Sequence, residues 1–202
     1  MKGVQDFYNE TAPDWADKWY EDTSLIPYLK EFFSFLPNNP RVLDLCCGAG
    51  YESMRMASLG AEVVGLDFSA ESINVAKTRN PNIKFINEDM LNDYSYIGKF
   101  NGCAVIAGLV HLTEDKLNMA FQRIFSVLYD NSYLFIVVED GQGKNSESSF
   151  VNINGIDYDR DFYRHSLNTL IASSKNIFKY IKEINLDNDP LWKYYIFKKE
   201  VV

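Results

Sequence analysis

The residues best placed to do chemistry lie in the stretch VLDLCCGAG at residues 42–50. An apolar run ends there in a turn that contains two glycines and follows a carboxylate. Glycine lets the backbone N–H groups of such a turn approach a ligand, because no Cβ stands in the way. Structural strand-to-helix turns share this composition, so the glycines alone do not separate a binding turn from a structural one.

Two further carboxylates follow the next two apolar runs. Asp67 ends the run EVVGLD at residues 62–67, where an acidic side chain can reach the ribose hydroxyls of a nucleoside. Asp89 follows the third run. Taken singly, Asp67 could be an acid at a helix N-terminus and Asp89 a solvated turn residue. Because Asp44, Asp67 and Asp89 all fall near the carboxyl ends of consecutive predicted strands, we expect them to share one crevice.

From residue 41 onward, short apolar runs alternate with helical stretches, and these elements must position the acids. This alternation predicts a parallel sheet covered by helices on both faces. The first five strands are predicted over residues 41–45, 62–67, 83–86, 103–107 and 133–138.

Helix signals separate these strands. The first helix runs from Glu52 to Ser58, with Gly60 as its C-cap, and Ser69 is the predicted N-cap of the second. Thr113 caps the longest helix. Its apolar positions recur at helical spacing and are predicted to lie in the core: Leu117, Ala120, Phe121, Ile124 and Leu128.

The pattern changes after residue 139. The pair Asn154-Gly155 inside FVNINGIDY favours a type I′ turn and predicts a β-hairpin. A helix over 167–174 precedes strands over 178–186 and 192–197. The four turn residues between those strands, Asp187 to Pro190, permit only an antiparallel pairing.

Composition restricts the class of protein. The chain has 202 residues, 47% of them hydrophobic, which suits one substantial core. There is no secretory leader pattern and no apolar stretch of membrane-spanning length, so we expect a cytoplasmic protein without a membrane partner. Three cysteines match neither a disulfide framework nor a zinc site, so we expect reduced thiols and no bound metal. The net charge of −8 disfavours nucleic acid and favours a small-molecule partner.

With these motifs in order, the sequence resembles the class I S-adenosylmethionine-dependent methyltransferase family over nearly its whole length. VLDLCCGAG resembles the family's first motif and GLDFSAESINVAK its second. The resemblance implies a Rossmann-like, doubly wound, mostly parallel seven-stranded sheet with an antiparallel C-terminal strand. It implies one methyltransferase domain at 41–202, an N-terminal helical cap at 1–40 and a substrate-side insertion near 140–165. The chain is expected to be a monomer or a homodimer.

The resemblance also implies roles for individual residues toward S-adenosylmethionine. Asp44 would face the methionine amino group, and Gly48 and Gly50 would line the turn under the cofactor. Asp67 would hold the ribose hydroxyls. The remaining contacts are implied for the adenine and the amino-acid end: Phe68 packing on the ring, Asp89 accepting from its amino group, the Met90 backbone N–H, and the Ala107 carbonyl.

Two residues depart from the family's pattern. Cys46 replaces the first glycine of the first motif, and Asn101 stands where an aspartate commonly opens the fourth strand. A small cysteine fits this turn with a negative φ, which is the conformation we expect for Cys46. The aspartate that Asn101 replaces contacts no cofactor atom in the family.

An aromatic segment near the N-terminus, FYNETAPDW, resembles the cap of the family's small-molecule members. Aromatic faces suit a sulfonium, which is a cation without classical hydrogen-bond donors. Tyr8 is the preferred cofactor contact, with Trp15 and Trp19 as further candidates. Alternatively, the two tryptophans belong to an amphipathic helix that packs on the domain.

The sequence gives weaker evidence for the residues that would bind the methyl acceptor. His111 follows the fourth strand, where it is a candidate general base, although a histidine that bonds a loop carbonyl is at least as good an interpretation. Arg160, Tyr163 and Arg164 could form an acceptor-binding wall, since arginine binds carboxylates and phosphates bidentately. A solvated face is the competing interpretation of that segment.

The predicted reaction is transfer of a methyl group to a small acceptor whose identity the sequence does not give. The sulfonium already supplies the leaving group, so the protein need only align the reactants and exclude water. Two alternatives stay open. One is a cofactor-binding module without catalysis. The other is a nicotinamide-dependent oxidoreductase, disfavoured because Ser53 stands where GxGxxG requires glycine.

Overall fold

The computed structural model describes residues 1–186 and 189–201. The predicted turn residues Asp187 and Asn188 lie outside this part of the chain. Seven strands form the main sheet: β1 (Arg41–Leu45), β2 (Glu62–Asp67), β3 (Lys84–Asn87), β4 (Phe100–Ile106), β5 (Leu128–Glu139), β10 (Phe178–Glu183) and β11 (Trp192–Lys199). The helices are α1 (Val4–Trp19), α2 (Ile26–Phe33), α3 (Tyr51–Ser58), α4 (Ala70–Arg79), α5 (Glu114–Val127), α6 (Ser146–Ser149) and α7 (Leu167–Ser173).

The strand order is β10-β11-β5-β4-β1-β2-β3. Strands β1 to β5 are parallel, and β11 pairs antiparallel with both β5 and β10. The predicted sheet and its antiparallel C-terminal strand are therefore confirmed. After β3 the chain returns to the other side of β1. This reversal leaves a crevice beyond the carboxyl ends of β1 and β4.

Alternating side chains of the strands enter two separate cores, one on each face of the sheet. Leu43 of β1 packs in the core that contains the apolar face of α5. Its neighbour Val42 packs in the core that contains Leu29 and Phe32 of α2. Because strand side chains alternate between faces, strands buried on both sides read as continuous apolar runs.

The predicted elements differ from the structure mainly at their ends. The bounds of β1 and β2 match the prediction, and Ser69 caps α4 by accepting the Ser72 N–H. Assigning Leu128 to the long helix was wrong. Leu128 has φ −95° and ψ 143°, so α5 ends at Val127 and β5 begins at once. Leu128 is nevertheless fully buried, which explains why the apolar spacing continued past the helix.

Residues 140–165 form a separate substructure at the end of β5. Strands β7 (Phe150–Ile153) and β8 (Ile156–Asp159) make the predicted hairpin, with φ 53° at Asn154 and 81° at Gly155 as a type I′ turn requires. The sequence did not predict the second pair, β6 (Gln142–Lys144) with β9 (Tyr163–His165). Three-residue strands are too short to show a period-2 pattern.

Helix α1 joins this hairpin to the body of the protein. Lys2 exchanges backbone hydrogen bonds with the hairpin residues Asp157 and Asp159. On the other side, the Gln5 side chain donates to the Phe68 carbonyl at 2.8 Å, and the Ser69 hydroxyl donates to Asn9 at 2.8 Å. In the described residues, no helix combines the length and apolar character needed to cross a bilayer.

Candidate active site

A cavity of about 650 Å³ opens at the carboxyl ends of the parallel strands. Four strand ends contribute to it. Cys46, Gly48 and Ala49 come from the turn after β1, Leu66 to Phe68 from the end of β2, Glu88 to Met90 from the loop after β3, and Ile106 to Gly108 from the end of β4. Its volume lies in the range of pockets that enclose a drug-sized ligand.

The turn after β1 presents backbone to this cavity. Gly48 has φ +53°, and no atom lies within 4 Å of the position that a Cβ would occupy. A ligand can therefore approach the backbone of Gly48 closely. Gly50, at φ +80°, does not line the cavity. A Cβ at Gly50 would lie 2.8 Å from the Phe85 ring, so this glycine serves the packing of the turn against β3.

Cys46 has φ +62°, so the expectation of a negative φ was wrong. The cysteine takes the left-handed conformation that favours glycine. Its neighbour Cys47 donates its N–H to the Leu66 carbonyl of β2 at 3.0 Å. This bond extends the pairing with β2 past Leu45, so the chain has to turn at Cys46 itself. The Cβ of Cys46 is held in a conformation that costs an L-residue about 1–2 kcal/mol.

This strain predicts a difference between two substitutions. Cys46→Gly and Cys46→Ala both remove the thiol, but only the glycine variant removes the Cβ. We expect Cys46→Gly to have the higher free energy of unfolding, by about 1 kcal/mol, in urea denaturation. Ala49→Gly is the control, because buried Ala49 is outside the left-handed region and should lose stability on substitution. Equal stability of the two Cys46 variants would contradict the assignment of strain.

Asp67 links β2 to the glycine turn. One carboxylate oxygen accepts the Gly48 N–H at 2.9 Å and the other accepts the Ser69 N–H at 2.8 Å. The residue is 6% exposed and lines the cavity. Burial raises the pKa of Asp67 to about 6, and these backbone N–H groups hold it down against the effect of burial. Asp67 is therefore anionic at neutral pH, with lone pairs available to hydroxyl donors.

Asp44 lies behind the cavity wall. It is 1% exposed, does not line the cavity, and accepts the Ser53 hydroxyl at 2.5 Å. Burial raises the pKa of Asp44 to about 7, with smaller contributions from the charges of Glu52 and Asp67. Asp44 therefore lies beside the glycine turn without facing the cavity, and its contact with a ligand stays a prediction.

The remaining predicted cofactor residues of this edge surround the cavity. Phe68 is half-buried beside Asp67, and Met90 is buried below the rim. Asp89 is exposed and accepts the Leu91 N–H at 2.8 Å. Ala107 has φ +55°, a second left-handed position on the cavity wall.

One face of α1 forms the wall opposite the strand ends. The cavity-lining residues of this helix recur at helical spacing, and they are Val4, Tyr8, Ala12, Trp15 and Trp19. The predicted aromatic contacts Tyr8, Trp15 and Trp19 thus lie on a single face that points at the cavity. Their contact with a cofactor stays a prediction, as does the alternative in which the two tryptophans only pack the helix on the domain.

His111 is held by two hydrogen bonds. Its Nδ1 lies 2.9 Å from the Arg160 carbonyl oxygen, and its Nε2 lies 2.9 Å from the Tyr8 hydroxyl. A carbonyl can only accept, so Nδ1 carries the proton and Nε2 accepts from Tyr8. Burial lowers the pKa of His111 to about 4 and raises the pKa of Tyr8 to about 12. Both side chains are neutral at pH 7.

The predicted acceptor residues separate into two groups. Arg160 lines the cavity with His111. Tyr163 and Arg164 of β9 do not: Arg164 donates to buried Glu139 at 2.6 Å, and the Tyr163 hydroxyl donates to Asp161 at 3.4 Å. His165 is buried and bonds the Leu109 carbonyl at 3.0 Å. These three side chains have partners elsewhere in the fold, and none of them lines the cavity.

Several cavity residues were not predicted from the sequence. Among them, Phe162 and Trp192 line the cavity. Glu52 also lines it. One oxygen of Glu52 pairs with Arg55 at 2.7 Å, and the other has no hydrogen-bond partner among the described residues. An acid in the first turn of a helix is so common that its sequence position gives no indication of a site.

Part of the chain matches known proteins in sequence. The profile described as "Methyltransferase domain" matches residues 42–131. The provisionally named methyltransferase YqeM of Bacillus subtilis is 31% identical over 108 residues, which are 51% of this chain and 44% of that protein. A demethylmenaquinone methyltransferase of Renibacterium salmoninarum is 36% identical over 80 residues, covering 40% and 34%. The chain thus spans less than half the length of the first curated relatives that it matches.

Solved structures show the same fold over the whole chain. An S-adenosylmethionine-dependent methyltransferase of Clostridium acetobutylicum has a TM-score of 0.75 at 12% identity and covers 96% of this chain and 100% of its own. A Burkholderia thailandensis 1,6-didemethyltoxoflavin-N1-methyltransferase, solved with its substrate and S-adenosylhomocysteine, has a TM-score of 0.72 at 15% identity and covers 98% and 88%. The profile match therefore identifies a methyltransferase domain over residues 42–131, and the solved structures show the fold that this chain shares with S-adenosylmethionine-dependent methyltransferases.

Proposed function

We propose that this protein transfers the methyl group of S-adenosylmethionine to a small-molecule acceptor. One observation carries the proposal: a single cavity contains both the glycine and carboxylate edge, with Asp67, and the end lined by His111 and Arg160. A nucleoside cofactor held at the first end would share this cavity with an acceptor held at the second. The net charge of −8 and the small-molecule enzymes among the structural neighbours support a small acceptor.

The residues present fit the cofactor. Open space beside Gly48 and the anionic acceptor Asp67 suit the ribose, and Phe68, Asp89 and Met90 surround the place proposed for the adenine. The carbonyl of Ala107 and the buried charge of Asp44 suit the amino-acid end. Tyr8, Trp15 and Trp19 present aromatic faces to a sulfonium. The N-terminal cap at 1–40 and the insertion near 140–165 are proposed to close this site from two sides.

When bound, the cofactor would supply a methyl group carried on a positively charged sulfur, and the sulfur would be left as a neutral thioether. The chain supplies alignment and exclusion of water. For a hydroxyl acceptor, we propose that the acceptor proton passes to the Tyr8 oxygen as the Tyr8 proton passes to Nε2 of His111. His111 Nε2 is suited to this role because it is unprotonated and already accepts from Tyr8.

Calorimetric titration tests the cofactor half of the proposal. We expect S-adenosylmethionine and S-adenosylhomocysteine to bind, and NADH not to bind under the same conditions. The second half is tested by release of S-adenosylhomocysteine from a panel of phenols, amines and thiols. Cofactor affinity without release across the panel would favour a binding module that has lost catalysis. Binding of NADH alone would overturn the proposal.

Gel filtration of the same samples distinguishes a monomer from a homodimer, which are the two states expected of this protein. The protein is also expected to be cytoplasmic.

A further inference from the structure

Arg160 is a buried cation whose side chain is surrounded by aromatic rings. The residue is 9% exposed, and its guanidinium carbon lies 4.9 Å from the Phe7 ring centroid, 5.5 Å from that of Phe162 and 5.9 Å from that of Trp15. The Nε group donates to the Ser148 carbonyl at 3.1 Å. Cation–π contacts and one hydrogen bond through Nε hold the guanidinium in place, and Arg160 lines the cavity.

No carboxylate of the described residues lies within ion-pair distance of Arg160. The two neighbouring acids are engaged elsewhere: Asp159 and Asp161 both pair with Lys144, at 2.6 and 3.0 Å. Other charged residues of the cavity, such as Glu52 and Asp67, have partners of their own. A buried cation without a counter-ion is costly, so an arrangement that keeps one in a ligand cavity indicates an anion brought by the ligand.

The walls beside Arg160 are flat and apolar. Trp15, Phe162 and Trp192 line this part of the cavity, and the Phe162 and Trp192 rings meet edge to face with centroids 6.2 Å apart. Aromatic walls of this kind favour a ring that can stack on one face and meet the edge of another. The guanidinium of Arg160 favours a ring that carries a carboxylate, because its parallel N–H donors match the two carboxylate oxygens.

We propose that the methyl acceptor is a planar aromatic or heteroaromatic carboxylate, whose carboxylate is held by Arg160 and whose ring lies among Trp15, Phe162 and Trp192. This inference rests on the proposed function, because it describes the acceptor of that same site. It places the nucleophilic atom on the part of the ring nearest Tyr8 and His111. The acceptor charge also supplies the counter-ion that the folded chain does not provide.

The test uses 2-naphthoate and its neutral counterpart 2-naphthamide as probes, with the full chain saturated in S-adenosylhomocysteine. Saturation occupies the cofactor end, so a carboxylate probe has access only to the acceptor end. We expect tryptophan fluorescence titration to give at least about tenfold tighter binding of naphthoate than of naphthamide. In Arg160→Gln this preference should disappear, and in Arg160→Lys it should be reduced. Arg79→Gln is the matched control, because Arg79 also lies over an aromatic ring, Tyr20, but outside the cavity.

Each outcome has a distinct meaning. Equal binding of the two probes by the wild-type protein, which requires no variant to fold, would overturn the inference. So would an unchanged preference in Arg160→Gln. Loss of S-adenosylhomocysteine affinity in Arg160→Gln, without any acid preference in the wild type, would assign Arg160 to the carboxylate of the cofactor. Failure of the wild type to bind S-adenosylhomocysteine would instead contradict the proposed function itself.

Discussion

Asp67→Ala is expected to weaken S-adenosylhomocysteine binding by about 100-fold or more, because two charge-assisted hydrogen bonds to the ribose would be lost. The geometry supports this expectation. Asp67 is buried at the cavity wall, and its two oxygens are oriented by the N–H groups of Gly48 and Ser69. Isothermal titration calorimetry of wild-type and variant protein measures the loss. Asp93→Asn is the control, since that exposed carboxylate caps a turn outside the cavity.

Asp67 also braces the glycine turn, so affinity alone does not separate a ligand contact from a structural role. Comparing the binding of two ligands by two proteins separates these two roles. Wild-type protein should prefer S-adenosylhomocysteine over its 2′,3′-dideoxy analogue, and Asp67→Ala should bind the two equally. If the variant keeps the full preference for the hydroxyls, Asp67 does not hold the ribose and the assignment of this edge fails.

Asp44→Asn is expected to stabilise the ligand-free protein at pH 8 by about 4 kcal/mol. Burial holds the pKa of Asp44 at about 7, above its ordinary value of 3.8. The folded chain therefore binds more protons than the unfolded chain between these values, and stability falls as the pH rises through this window. Asparagine carries no charge, so the variant does not lose the stability that ionisation of Asp44 removes from the wild type. Urea denaturation at pH 5, 6.5 and 8 measures the effect.

The variant and the wild type should have similar stability at pH 5, where Asp44 is already protonated. Asp67 and Glu52 are also raised in pKa by burial, to about 6 and about 7, so some pH dependence should persist in Asp44→Asn. Asp14→Asn, which changes an exposed acid of α1, should follow the wild type at every pH. Parallel curves for Asp44→Asn and the wild type would show that Asp44 titrates as an ordinary carboxylate.

The sequence predicted those parts of the fold in which local pattern and tertiary environment agree. The strands β1 and β2 are apolar runs bounded by turns, and both matched to the residue. The hairpin at Asn154 and Gly155 followed from the positive φ that a type I′ turn requires. The prediction failed at Leu128, where a buried residue continued the helical spacing after the helix had ended. Burial on one face does not distinguish the last turn of a helix from the first residue of an adjoining strand.

The residues of the candidate site also divide into those that the sequence predicted and those that it did not. Asp67, Gly48 and the aromatic face of α1 were predictable because their spacing follows from a strand end or a helix period. Phe162 and Trp192 were not, because residues on separate elements meet only after the insertion folds against α1. Tyr163 and Arg164 were grouped with Arg160 by sequence proximity, but their side chains bond to Asp161 and Glu139 and do not line the cavity. Cys46 shows a further limit, since composition does not reveal which non-glycine residue will carry a positive φ.

The single helix face that lines the cavity has a kinetic consequence. Tyr8, Trp15 and Trp19 of α1 lie along one boundary that reaches from the cofactor edge to the acceptor end. On the proposed function, displacement of this helix would open the cofactor end and the acceptor end of the cavity at the same time. Spent cofactor and methylated product would then leave in an order set by their own dissociation rates.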